Sequence, residues 1–165
     1  MGVIQITICR GDEIMDNFDT LEKVIAYLKQ ANCYGEYNYC FTAQKKEKVN
    51  SALMGIFGGA VGGAIAHKLN DNPAIGYILN RNDKGIAILP IIGDIKNPIV
   101  DIDSLLFLTN EDIDKVVIKN DGFRFKIIKI ILKNKEEFSF RMANKIKNVD
   151  YHEINLNKFV EMYQS

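Results

Sequence analysis

The chain has 165 residues, 47% hydrophobic and 25% charged, a size that buries a core without disulfide staples. Its three prolines and its apolar content exclude a disordered or collagen-like chain. Twenty-one basic residues balance twenty-one acidic ones, so no global charge draws it to nucleic acid or to a strongly anionic partner.

The first third reads as strand, helix, strand. Val3, Ile4, Ile6 and Ile8 mark a β-branched strand, which Arg10, Asp12 and Glu13 close too early for a secretory core. Ile6 stands where a myristoylation signal needs Ser or Thr. Leu21, Val24, Ile25 and Leu28 repeat at helical spacing, with Asp19 or Thr20 as cap and Asn32 and Gly35 as stops. Tyr37, Tyr39 and Phe41 then alternate with polar residues, as in a half-buried strand. Cys9, Cys33 and Cys40 are an odd number, and none are spaced as a CxxC pair, so the expectation is a reduced, cytoplasmic protein with buried thiols.

Ala52 to Ala66 is fifteen residues without a charge and holds five of the twelve glycines. Ser51 or Asn50 can cap it, and Asn70 to Pro73 break it, which predicts a glycine-rich helix over about 51–68. Gly55, Gly59 and Gly63 form a GxxxGxxxG face, with Lys45, Lys46 and Lys48 just ahead of it. Each glycine costs about 1 kcal/mol against alanine inside a helix, so the face needs close packing in return. Internal packing on the sheet, a contact with a partner or second copy, and reversible membrane contact all satisfy that need. Fifteen residues rise about 22 Å, short of the ~30 Å hydrocarbon core, so the segment does not span a bilayer. A nucleotide site is not read, because no GK[ST] tail or GxGxxG turn is present.

From Ile75 the period becomes two. Tyr77–Asn80 and Ile86–Ile92 flank a hairpin connection at Asn82–Gly85. Ile95–Asp103 reads as loop or edge because Pro98 cannot donate in a ladder. Strands follow at Ser104–Leu108, Lys115–Lys119, Phe123–Leu132 and Glu137–Met142, with turns at Asn120–Gly122 and Asn134–Lys135. The apolar phase slips at Ile127–Ile128, which predicts a bulge or bend there. Phe123 and Phe125 are expected to point inward, with Arg124 and Lys126 outside. Leu156, Phe159, Val160 and Tyr163 close the chain on an amphipathic helix.

The order of these elements carries a resemblance. The segments GYILNRNDKGIAILPI (76–91), DIDKVVIKNDGFRFKIIKIILKNKEEFSFRM (112–142) and YHEINLNKFVEMY (151–163) resemble bacterial pleckstrin-homology-like (PH-like) domains of an uncharacterised family. The match runs roughly from Tyr37 to Tyr163 and rests on pattern and order. It implies a single α+β domain over 1–165, mostly antiparallel β. An N-terminal strand–helix extension (1–36) precedes a partly open barrel or curved sheet (37–165), plugged by the last helix and interrupted by the glycine-rich one. Eukaryotic members bind phosphoinositides through the first loop, here begun by Lys45, Lys46 and Lys48. No arginine follows them, and the glycine helix fills that loop.

Other chemistry is sparse. Between Lys115 and Lys147 there are ten Lys/Arg against three Asp/Glu, which reads first as a solvated sheet face. His67 and His152 are placed near helix ends in capping roles, outside any HExxH, and no GxSxG elbow occurs. Asp101 and Asp103 lack a third ligand for calcium. The expected function is therefore a non-enzymatic binding or adaptor module with no cofactor or metal. It would use Lys45, Lys46, Lys48, Gly55, Gly59 and Gly63 to meet a protein partner or a second copy. The alternative is a peripheral membrane protein that contacts anionic lipid through the same residues. Nucleic acid is not an expected partner.

Overall fold

In the computed structural model, residues 3–5, 18–45, 74–93 and 98–164 are described. The Thr20 side chain caps the first helix, α1 (Leu21–Gln30), by accepting from the Lys23 amide. That helix stops where Asn32 turns to φ 55°. The Cys33 amide then bonds back to the Leu28 carbonyl and the Asn32 amide to the Lys29 carbonyl. Together these form a Schellman ending, with asparagine in the place glycine usually takes.

The strands are β1 (Val3–Gln5), β2 (Tyr39–Lys45), β3 (Gly76–Arg81), β4 (Gly85–Gly93), β5 (Pro98–Asp101), β6 (Leu106–Thr109), β7 (Ile113–Asp121), β8 (Phe125–Leu132) and β9 (Glu137–Ala143). The chain then closes on α2 (Asp150–Gln164). All pairings are antiparallel, in the order β1-β5-β4-β3-β2-β9-β8-β7, with β6 also paired to β4. This is an α+β fold built on an open, antiparallel sheet.

β2 is the joint of that sheet. Its residues 39–43 pair with β3, and only Gln44 and Lys45 pair with β9, opposite Arg141 and Phe140. The far side of β4 is shared: β6 takes residues 85–88 and β5 takes 91–93, with a short 3-10 turn at Ile102–Ser104 between them.

Two cores lie on opposite sides of β2–β4, and strand alternation sorts the side chains between them. Phe41, Leu79, Ile86 and Ile88 face inward with Ile128, Ile130 and Phe140, and α2 covers them with Leu156, Phe159 and Val160. The Phe41 and Phe159 rings meet edge-on at 5.0 Å. Cys40, Ile78, Ala87 and Leu89 face the other way, onto Val24, Tyr27 and Leu28 of α1. Since both faces are covered, β4 is buried from Gly85 to Ile91 with no polar face.

Several expectations need correction. The strand expected from Ser104 begins at Leu106, because Asp101 caps the 3-10 turn by accepting from the Ser104 amide. Ile95–Asp103 contains a true strand, β5, paired on both sides, and Pro98 is tolerated as its first residue. No bulge occurs at Ile127–Ile128. The β8–β9 ladder runs unbroken from Phe125 to Ile131, and the irregularity falls on β7 between Ile113 and Lys115. Ile127 broke the pattern because it is a half-buried apolar residue on the outer face, opposite Arg141. Phe123 does not point inward: it is 83% exposed at the tip of the β7–β8 hairpin.

The β3–β4 connection is held by one side chain. Asn82 is fully buried, accepts from the amides of Lys84 (2.9 Å) and Gly85 (3.1 Å), and donates to the Cys33 carbonyl at 2.8 Å. It therefore ties the end of α1 to the hairpin. Gly85 is required beside it, since a Cβ there would sit 2.0 Å from the Leu108 carbonyl oxygen. Asn82→Ala removes three hydrogen bonds, two of them buried, and strands their partners, so we expect a loss of about 3 kcal/mol in urea unfolding.

Candidate functional site

The seam between β2 and β9 is where the sheet is least regular. Continuing their register would set Thr42 opposite Ala143, yet the ladder stops at Gln44. His152, in the first turn of α2, fills the gap. Its Nδ1 accepts from the Thr42 amide at 3.1 Å, and its Nε2 faces the Ala143 carbonyl at 2.6 Å.

An amide N–H can only donate, so Nδ1 is unprotonated and Nε2–H donates to Ala143. The imidazole thus stands in for a strand-to-strand hydrogen bond while holding the two strands apart. It is fully buried against the Phe41 ring. Burial pushes its pKa below the usual 6.5, against smaller upward contributions from the Ala143 carbonyl and Glu153. This corrects the expected capping role, because His152 stands at the wrong end of a helix for a cation. The preceding Tyr151 hydroxyl donates to the Phe18 carbonyl and fastens the same turn to the segment ahead of α1.

Beside this seam lies a groove of ≈ 390 Å³. Phe18, Ile75, Ile91, Pro98, Phe125, Met142 and Ile146 give it an apolar lining, and Thr42, Gln44 and Arg141 supply the polar groups. Arg141 stacks on the Phe125 ring at 3.8 Å and its Nε bonds Asp121 at 2.7 Å. Both partners of that pair are about 40% exposed, so it orients the guanidinium more than it stabilises the fold.

No family model matches this chain, and no curated protein does either.

Of the sequence-derived interaction residues, Lys45 is placed only as the last residue of β2, at the seam. Lys46, Lys48, Gly55, Gly59 and Gly63, the whole expected glycine-rich helix and His67 lie outside the described residues. No helix among the described residues is long and apolar enough to cross a membrane. None of the described His, Cys, Asp or Glu residues form a group that could hold a metal ion.

Sequence reasoning missed the groove, because its lining comes from separate stretches of chain scattered between Phe18 and Ile146. It also missed the part His152 plays. One signal was present: a histidine in the first turn of a helix is disfavoured as a cation, so a neutral, bonded imidazole is the natural form there.

Cys33 and Cys40 are both free and buried, as expected. Burial raises the Cys33 thiol to about 11. Burial, with a smaller effect of Cys33, raises Cys40 to about 12. Their thiolates are therefore scarce at neutral pH. Mass mapping after a thiol-reactive disulfide reagent at pH 8 should find both unmodified in the native protein and both modified in urea.

His152 also sets a pH dependence. Its folded pKa lies below the unfolded value of 6.5, so the unfolded chain binds the extra proton first. The stability associated with neutral His152 is present above pH 6.5 and is lost as pH falls through the folded pKa. Urea midpoints should fall from pH 7.5 to pH 5, and His152→Ala should be less stable at pH 7.5 with a shallower fall.

Proposed function

We propose that this chain is a PH-like, non-enzymatic binding or adaptor module. The supporting observation is the strand order. From β2 onward the sheet runs 5-4-3-2-9-8-7 about a joint at β2, and the final helix α2 covers its inner face. An antiparallel sheet closed by a C-terminal helix supports the reading that the sequence resemblance raised.

The recognition surface in this reading is the basic connection begun by Lys45, Lys46 and Lys48, together with the face of Gly55, Gly59 and Gly63. Lys45 ends β2 next to Gln44, a groove residue, so the connection departs from the rim of the groove. The partner is a protein or a second copy of this chain. The close approach that GxxxG spacing allows supports that choice.

Gly59→Leu tests it. Light scattering after size exclusion should show self-association in the parent that is lost in the variant, with the circular dichroism spectrum unchanged. If the parent is a monomer, pull-down of a partner should be lost in the same variant. An unfolded variant would move the glycines into internal packing and end this reading. Co-sedimentation with phosphatidylglycerol vesicles at low salt, retained in Gly59→Leu and lost when Lys45, Lys46 and Lys48 become Ala, would transfer the surface to the membrane.

A further inference from the structure

The sheet ends on one side at β7, and among the described residues β8 is the only strand that pairs with it. In an edge strand, alternate N–H and C=O groups point away from the neighbour and stay open. On β7 that open edge is nine residues long, Ile113–Asp121, whereas β1 at the opposite edge has three.

The side chains of β7 are incompletely covered as well. Val116 and Ile118 pack against the core that α2 covers, yet they stay half-buried because the sheet stops beside them. On the other face, the exposed Lys115 and Lys119 flank the half-buried Val117. Neither lysine has a carboxylate partner among the described residues. Asp121 holds Arg141 and Glu137 holds Lys129, while Asp114 falls at the register shift between Ile113 and Lys115.

These features select an occupant. Open backbone donors and acceptors are matched by another extended strand, and a hydrocarbon chain offers them nothing. A second copy of β7 paired about Val117 would set Lys115 against Lys119, like charge against like. A strand with acidic side chains on one face meets both lysines instead. Apolar side chains at its alternate positions would continue the core face past Val116 and Ile118.

We infer that β7 is a docking edge for an extended acidic segment of a protein partner, with carboxylates opposite Lys115 and Lys119 and apolar side chains beside Val116 and Ile118. The edge shares no residue with the glycine-rich surface, so the two readings stand or fall independently.

The probe is a fluorescein-labelled peptide of alternating Glu and Val, matched to β7 in length, titrated with the full chain and followed by fluorescence anisotropy. One comparison peptide carries Lys in place of Glu. A second is the Glu–Val peptide with every amide N-methylated, which keeps charge and side chains and removes the donors. The Glu–Val peptide should bind saturably at one per chain, the Lys–Val peptide about tenfold more weakly or worse, and the methylated peptide not at all. The charge-dependent gap should narrow as salt is added. Lys115→Glu combined with Lys119→Glu should weaken Glu–Val binding about tenfold, with folding checked by circular dichroism. A folded Gly59→Leu should leave it unchanged. Should the double variant unfold, the three peptides on the unaltered protein still decide. Absence of saturable binding, equal binding of the Glu–Val and Lys–Val peptides, undiminished binding of the methylated peptide, or unchanged binding by the folded double variant would each overturn the assignment. Loss of peptide binding in a folded Gly59→Leu would overturn it too, and would place the peptide on the glycine-rich surface.

Discussion

A single buried imidazole carries the joint between the two halves of this sheet past the point where the β2–β9 ladder stops. His152 receives the Thr42 amide on one ring nitrogen and gives its proton to the Ala143 carbonyl from the other. Without it, a donor and an acceptor would be left unsatisfied in a buried seam, each at a cost of about 1–3 kcal/mol. Closing the strands directly would satisfy both groups, but it would leave no room for the first turn of α2. The ring therefore sets the width of the seam, and its neutral tautomer follows from what it touches rather than from solution pH.

The position of α2 follows from that width. Val149 and Tyr151 belong to the core under α1, while Leu156, Phe159 and Val160 belong to the core on the other face of the sheet. The helix thus begins on one side of the sheet and continues on the other, and it can do so only where β2 and β9 part. The groove opens at the same place, since Thr42, Ala43, Met142 and Ala143 line it. Joint, helix and groove are three consequences of one interrupted ladder.

Charge is distributed along the same division. The half-sheet β2–β5 is covered on both faces and carries few ions, whereas β7–β9 leave one face open with Lys115, Lys119 and Lys129 on it. Lys129 meets Glu137 at 3.2 Å, a half-exposed pair of small energetic weight. The zero net charge of the chain therefore hides a basic stretch between Lys115 and Lys147, with ten Lys/Arg against three Asp/Glu, and the edge strand β7 bears lysines that discourage pairing between two such edges.

Much of the local structure was legible in the residues. Helical spacing placed α1 and α2, Asn32 stopped α1, and the Asn82–Gly85 stretch marked its hairpin, because caps and turns are decided within a few residues. Burial of Cys33 and Cys40 was also legible, from an odd cysteine count in a chain large enough to fold without bridges, while Cys9 lies outside the described residues. By contrast, Ile127 looked like a phase error and Phe123 like a core residue. Which apolar residue remains outside depends on what covers each face, and that is settled between distant strands. The His152 bridge joins residues 110 apart in sequence, and the groove gathers wall residues from Phe18 to Ile146. Short-range pattern determined the elements. Only the tertiary structure decided where the ladder breaks, because that depends on the one side chain that reaches across it.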